Sequence, residues 1–199
     1  GCCAAISACA AGLQWQRALA LLAGMEAQGV APTAVAFNAA ISACVKARQW
    51  QQALAAYAEM RRRQIWPNAV TYSTVLGACE ACGQWTTALA LLADARQERR
   101  GLDVVALNAG LAACAGGGLW QEVLELLFQA EQQGPRPDVI SLTAAMGACA
   151  RGQQWQRALG LLAAAPQRRL QPDGHAVVAA ISACAAGHRW ERALELLAE

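Results

Sequence analysis

The sequence predicts an all-α fold, an α-solenoid of helix-turn-helix repeats, and three observations predict it. A tryptophan recurs every 35 residues, at Trp15, Trp50, Trp85, Trp120, Trp155 and Trp190. A cysteine keeps the same step, at Cys9, Cys44, Cys79, Cys114, Cys149 and Cys184. The composition, 56% hydrophobic and dominated by Ala and Leu, favours helix throughout. A period of about 20–50 residues marks an array whose units are each too small to bury an apolar face alone and must stack on their neighbours.

The elements follow in order. A partial repeat, 1–33, opens inside a first helix at Ala4-Ala5-Ile6-Ser7. Four full repeats occupy 34–68, 69–103, 104–138 and 139–173. A partial repeat, 174–199, stops inside a second helix at Ala193-Leu194-Glu195-Leu196-Leu197. No polar capping helix stands at either end, so the chain reads as a slice of a longer array. Within 34–68, Phe37, Ile41 and Cys44 fall at i, i+4 and i+7, one face of a first helix. Trp50, Ala53, Leu54, Tyr57 and Met60 make the apolar stripe of a second. The break between them carries Gly12, Gly83, Gly117-Gly118, Gly152 and Gly187 in other units. Glycine there is expected to supply the left-handed residue that ends a helix. Pro32, Pro67, Pro137 and Pro172 are expected to stop the second helices. The six recurring tryptophans are expected to lie largely buried between units.

Several function classes are disfavoured. No apolar run approaches the ~20 residues of a membrane span, so no membrane partner is expected. Six of the nine cysteines occupy one helical slot and read as small buried apolar residues in a reducing compartment. Cys79 and Cys82 form a lone C-x-x-C, short of the four ligands that a structural zinc needs, and no metal or cofactor is expected. There is no His-x-Glu, no paired C-x-x-C and no Asp cluster, and His175 and His188 are isolated, so no catalysis is expected of these residues. The net charge is only +2. Arginines cluster at the ends of second helices (Arg61-Arg62-Arg63, Arg96, Arg99-Arg100, Arg168-Arg169), where they complement the helix dipole or contact phosphates.

The opposite face of the first helix carries Val35, Asn38, Ser42 and Val45 at i, i+3, i+7 and i+10. Stacked units would join these into a groove. The chain holds three asparagines, and all sit at two slots: Asn38 and Asn108 in the first helix, Asn68 at a unit's end. Three of the four aspartates, Asp103, Asp138 and Asp173, take that same unit-end slot. Helix capping accounts for the unit-end residues. It does not account for Asn38 and Asn108 inside a helix, where Asn is a poor choice. The two slots therefore read as one functional line.

The period of 35, the Val-x-(Phe/Tyr/Leu)-Asn start, the mid-unit Gly and the closing Pro-Asp resemble pentatricopeptide repeats of the P type, over essentially the whole chain. The resemblance implies a right-handed superhelix that binds single-stranded RNA, one base per repeat, in a chloroplast or mitochondrion. Roles in RNA processing, stability, editing or translation would follow. By resemblance, Val35, Val70, Val105 and Ile140 sandwich the bases. The reading pairs are Asn38 with Asn68, Ser73 with Asp103, Asn108 with Asp138, and Thr143 with Asp173.

Elementary chemistry agrees. An ionised Asp only accepts hydrogen bonds, which favours the ring N–H of uracil or guanine. A short hydroxyl (Ser73, Thr143) leaves room for a purine, and the longer Asn108 favours a pyrimidine. Asn68 can donate to a bare ring nitrogen, so with Asn38 it suggests cytosine with uracil tolerated. Bound in parallel, as in the family, the core would be 5′-(C/U)-G-U-G-3′.

Departures are visible. The first unit pairs Cys3 with Thr33, and the last places His175 and Val178 in the aliphatic and polar slots. Leu102 replaces the closing Pro before Asp103. Only Lys46 and Arg151 offer a cation at the regular groove slot, so phosphate contact should be weak. The alternative function is a protein-protein interaction scaffold, which α-solenoids commonly provide.

Overall fold

The computed structural model describes residues 2–27, 29–97 and 102–198. Twelve helices and no strand run through them, in six antiparallel-type hairpins. The first helices are α1 (Cys2–Ala11), α3 (Ala34–Lys46), α5 (Ala69–Ala81), α7 (Val104–Gly116), α9 (Val139–Arg151) and α11 (Gly174–Ala186). The second helices are α2 (Trp15–Ala27), α4 (Trp50–Arg62), α6 (Trp85–Gln97), α8 (Trp120–Gln133), α10 (Trp155–Ala164) and α12 (Trp190–Ala198). Each first helix packs on the first helices before and after it, and on the second helix of the preceding unit. Among the described residues neighbouring second helices meet only through long side chains, as where Arg61 of α4 reaches Asp94 of α6 and Arg96 of α6 reaches Gln129 of α8. The first helices therefore crowd the inner side of an α-solenoid, and the second helices splay on the outside. No described helix is long and apolar enough to cross a membrane.

The first helices are small on two faces, which lets them pack so closely. In α3, Phe37, Ile41 and Cys44 are buried against α4, and Ala36, Ala40 and Ala43 are buried on a second face. The pattern repeats in α7 with Leu107, Leu111 and Cys114 beside Ala106, Gly110 and Ala113. Full burial of each such Leu or Ile contributes about 1.5–3 kcal/mol. One stripe per first helix is left without a protein neighbour, and it carries the candidate site.

Each first helix from α3 onward starts on a side-chain cap. Thr33, Asn68, Asp103, Asp138 and Asp173 accept from the backbone N–H three residues on. Asp103 caps α7 at 2.8 Å although Leu102 stands where other units have Pro. Each first helix ends on the recurring cysteine: the carbonyls of Cys9, Cys44, Cys79, Cys114, Cys149 and Cys184 each accept the N–H five residues on. This closure needs a left-handed residue one place earlier. That residue is Leu13, Arg48, Gln153 or His188 in four units and Gly83 or Gly118 in two. The expectation that glycine supplies this conformation therefore holds only for Gly83 and Gly118.

Gly117, Gly152 and Gly187 have another task. A Cβ at each would collide with the indole of the preceding unit: Trp85, Trp120 and Trp155 respectively. At Gly117 the clash with Trp85 Cδ1 would be at 2.7 Å. The glycine is a seat for tryptophan, not a hinge. Because the indoles lie over these turns at the array's edge, they are not largely buried, contrary to expectation. Trp15, Trp50, Trp120 and Trp155 are half-buried, and Trp85 and Trp190 are exposed. Arg157 covers Trp120 at 4.5 Å and Arg189 covers Trp155 at 5.3 Å, as cation–π pairs.

The prolines do not stop the second helices either. α2, α4, α8 and α10 end at Ala27, Arg62, Gln133 and Ala164, several residues before Pro32, Pro67, Pro137 and Pro172. Left-handed residues (Gly29, Gln64, Arg169) turn the chain after three of them, and the prolines lie in the extended links. Of the outer arginines, Arg62 and Arg63 pair with Glu59, Arg61 with Asp94 and Arg168 with Glu131, while Arg96 donates to Gln129. Hydrogen bonds from Arg62 and Arg63 hold the Glu59 carboxyl down at about 2. Arg99 and Arg100 lie outside the described residues.

Candidate functional site

The free stripe of the first helices presents a row of aliphatic side chains to solvent. Val35, Val70, Val105 and Ile140 are 64%, 58%, 58% and 63% exposed, at one 35-residue step. They sit at the second position of a first helix, immediately after the capped turn. An isolated exposed Val needs no explanation, whereas a line of four beside hydrogen-bonding groups is a surface built for a partner. In the last unit the aliphatic slot holds an exposed His175 and the polar slot an exposed Val178, so the row ends at Ile140.

The polar slots meet at the junctions between units. The unit-end residue caps the next first helix, and the in-helix residue of the previous unit reaches across to it. Asn38 Nδ2 donates to Asn68 Oδ1 at 3.1 Å. Asn108 Nδ2 donates to both Asp138 oxygens, at 3.0 and 3.2 Å. The two hydroxyl units differ. Ser73 Oγ donates to the Val70 carbonyl at 3.1 Å, and Thr143 Oγ1 to the Val139 carbonyl at 2.8 Å. These short side chains fold back onto their own helix. The structure thus joins Asn38 with Asn68 and Asn108 with Asp138. It places Ser73 and Thr143 at the corresponding junctions without a bond to Asp103 or Asp173. Capping and groove display coexist: Asp103 and Asp173 spend Oδ1 on the cap, and no described residue bonds Oδ2.

Cations are sparse here. Lys46 is exposed at the last turn of α3. Arg151 is also exposed, but its Nε donates to the Ala115 carbonyl at the end of α7. It serves partly as a cap on the neighbouring helix. Of the lone C-x-x-C, Cys79 is buried and desolvation pushes its thiol up to about 11, while Cys82 is half-buried. A thiol held protonated is a poor metal ligand, and the described residues contain no group of three potential ligands. Burial likewise holds the Cys44 and Cys114 thiols at about 11.

Two further polar residues, absent from the sequence expectations, stand at these junctions. Thr71 and Ser141, three residues after the caps Asn68 and Asp138, are the buried polar side chains of the core. Each closes a reciprocal capping box. Each also touches the in-helix Asn of the previous unit: Thr71 Oγ1 lies 2.6 Å from Asn38 Oδ1, and Ser141 Oγ is hydrogen-bonded to Asn108 Oδ1. The available signal was a hydroxyl at capping-box spacing, which looks like local helix chemistry until the junction is seen.

Known proteins share this architecture. Residues 1–47 match a pentatricopeptide repeat domain model, residues 32–81 a PPR repeat family model, and residues 70–99 a PPR repeat model. The crystal structure of the pentatricopeptide repeat protein PPR10 from maize is 29% identical, over 96% of this chain and 28% of that one, with a TM-score of 0.70. The structure of PPR10 in complex with an 18-nt psaJ RNA element is 27% identical, over 98% of this chain and 27% of that one, with a TM-score of 0.67. The PPR domain of Arabidopsis thaliana protein-only RNase P 1, in complex with tRNA, is 14% identical over 79% of this chain and 83% of that one. Its TM-score of 0.66 shows the shared fold alone. The chain spans little more than a quarter of the maize protein's structure. Among curated proteins nothing matches.

Proposed function

This chain belongs to the pentatricopeptide repeat family, and from that premise we propose that its inner face binds single-stranded RNA, one base per repeat. The observation that carries this reading is the row of exposed Val35, Val70, Val105 and Ile140 beside a line of hydrogen-bonding junctions. Aliphatic side chains at a fixed step offer faces for unstacked bases, and the polar pair between them addresses each base edge. The similar maize protein has been crystallised with an RNA element, which supports the RNA class of ligand.

The reading assigns one base to each junction. Asn108 and Asp138 face a pyrimidine with a ring N–H, which is uracil. Ser73 with Asp103, and Thr143 with Asp173, leave space for a purine and offer an acceptor to its ring N–H, which selects guanine. Asn38 with Asn68 offers donors, suited to cytosine with uracil tolerated. In parallel orientation the core is 5′-(C/U)-G-U-G-3′. Lys46 and Arg151 supply weak phosphate contact. No catalytic role is assigned to the chain, and by family resemblance its place is an organelle, chloroplast or mitochondrion, in RNA processing or a related step.

Selection from a random RNA pool tests this reading. Enrichment of the C/U-G-U-G core is the expected result. A pool that returns no motif, or an unrelated one, rules out base reading at these slots. The sparse cations and the tethered Arg151 favour a second reading in that event, a peptide-binding scaffold that uses the same aliphatic row.

A further inference from the structure

We propose that Ser141 and Thr71 are positioning residues that lock the amide of the previous unit's asparagine, and so set which base Asn108 and Asn38 accept. The proposal rests on the RNA reading above and adds a residue to each of two junctions. Hydroxyl chemistry fixes the orientation. Thr71 Oγ1 accepts from the Asn68 backbone N–H at 3.1 Å and has a single proton to give. Asn68 Oδ1, at 3.0 Å, already accepts from the Thr71 N–H and from Asn38 Nδ2. Asn38 Oδ1, at 2.6 Å, is closer and has no other donor among the described residues. The proton therefore goes to Asn38 Oδ1. Ser141 stands in the same relation to Asp138 and Asn108: it accepts from the Asp138 N–H at 3.2 Å and bonds Asn108 Oδ1. Both hydroxyls are fully buried, so no water competes for the bond.

With the carbonyl end of the amide held inward, its nitrogen must face the unit-end residue. One N–H of Asn108 is used by Asp138, and the second is left for the groove, next to the acceptor Oδ2 of Asp138. With Asp138 opposite the ring nitrogen and Asn108 opposite the exocyclic group, this donor beside an acceptor complements the carbonyl and ring N–H of uracil. It opposes the amino group and bare ring nitrogen of cytosine. A freely turning amide could offer its oxygen to cytosine instead. At the other junction Asn68 Oδ1 accepts from Asn38 Nδ2 and from the Thr71 backbone N–H, which turns its Nδ2 outward beside that of Asn38 and gives two donors.

The sequence carries the same coupling. Asn38 and Asn108 are followed 33 residues on by Thr71 and Ser141. Cys3, Ser73 and Thr143, at the equivalent slot, are followed by Ala36, Ala106 and Ala176. A hydroxyl stands only where there is an asparagine to hold. The alanines are fully buried in helices capped by Thr33, Asp103 and Asp173, so the fold accepts Ala at this slot.

The test uses the whole chain and short single-stranded RNAs containing C-G-U-G, C-G-C-G or C-G-U-A, so that the third and the fourth letter are each varied alone. Anisotropy titrations give the U-over-C ratio, expected at about tenfold in the starting protein. Ser141→Ala should lower that ratio at least about threefold while the preference for G at the fourth letter is retained, and Ser141→Thr should restore it. If Ser141→Ala keeps the full ratio, or if preference falls equally at both letters, the hydroxyl does not position Asn108 and the proposal fails alone. A starting protein without any U-over-C preference would defeat the RNA reading first and this proposal with it.

Discussion

Gly117 and Gly118 are neighbours with opposite reasons to be glycine. A Cβ on Gly117 would lie 2.7 Å from Trp85 Cδ1, whereas Gly118 has open space around it but a φ of +73°. Gly117→Ala should destabilise by about 1–3 kcal/mol through overpacking, a loss that denaturant melts can measure. Pairing it with Trp85→Ala should remove most of that penalty, since the clash disappears. Trp85→Ala alone should cost less than the 3–5 kcal/mol of a core tryptophan, because Trp85 is 37% exposed. In the groove, Asn108→Ser should change the third letter of the bound core from U to G, by about 1–3 kcal/mol in paired titrations. Asp138 still demands a ring N–H, and Ser73 and Thr143 show that a short hydroxyl retreats onto its own helix. An unchanged preference would mean that this slot does not read bases. The proposed reading residues were nameable from sequence because the rare Asn and Asp fell in register, and Ser73 and Thr143 occupy the slot of Asn38 and Asn108. Thr71 and Ser141 were not, because their partner is 33 residues away and only stacking brings it near.

The helices themselves were legible for a similar reason: a fixed period leaves few choices for where a 13-residue helix begins. Their ends were not. Proline is a strong sequence signal, but the second helices stop before it, and the chain turns beyond them at left-handed residues such as Gln64 and Arg169 that carry no such signal. The first helices end similarly. Backbone closure onto the cysteine carbonyl forces a positive φ on Arg48 and Gln153, at 56° each. A left-handed conformation costs a residue with a Cβ about 1–2 kcal/mol, part of which glycine offsets with its larger unfolded-state entropy. Arg48→Gly and Gln153→Gly should therefore each stabilise the chain by about 0.5–1 kcal/mol in thermal or denaturant unfolding. Stability lost on either change would show that the arginine or glutamine side chain holds the turn by a contact of its own.

Across the whole molecule, charge is segregated. Arg61, Arg62, Arg63 and Arg168 on the outer side are engaged by Asp94, Glu59 and Glu131, and the inner face offers Lys46 and a partly tethered Arg151 at the regular slot. A ligand lying along the inner face would meet mostly aliphatic and hydrogen-bonding groups, so its affinity should come from base contacts more than from counterion release. Each phosphate neutralised on a single strand contributes a slope of about −0.7 in log K against log[salt]. With one or two cations within reach, plus diffuse attraction from the small net positive charge, the measured slope should fall at roughly −1 to −3. Titrations of one RNA between low and moderate salt would measure it directly. A slope near −6 would require many more phosphate contacts than this face can make. Binding would then have to run over the outer arginines, breaking ion pairs such as Arg62 with Glu59 as it formed, and the inner-face assignment would be wrong.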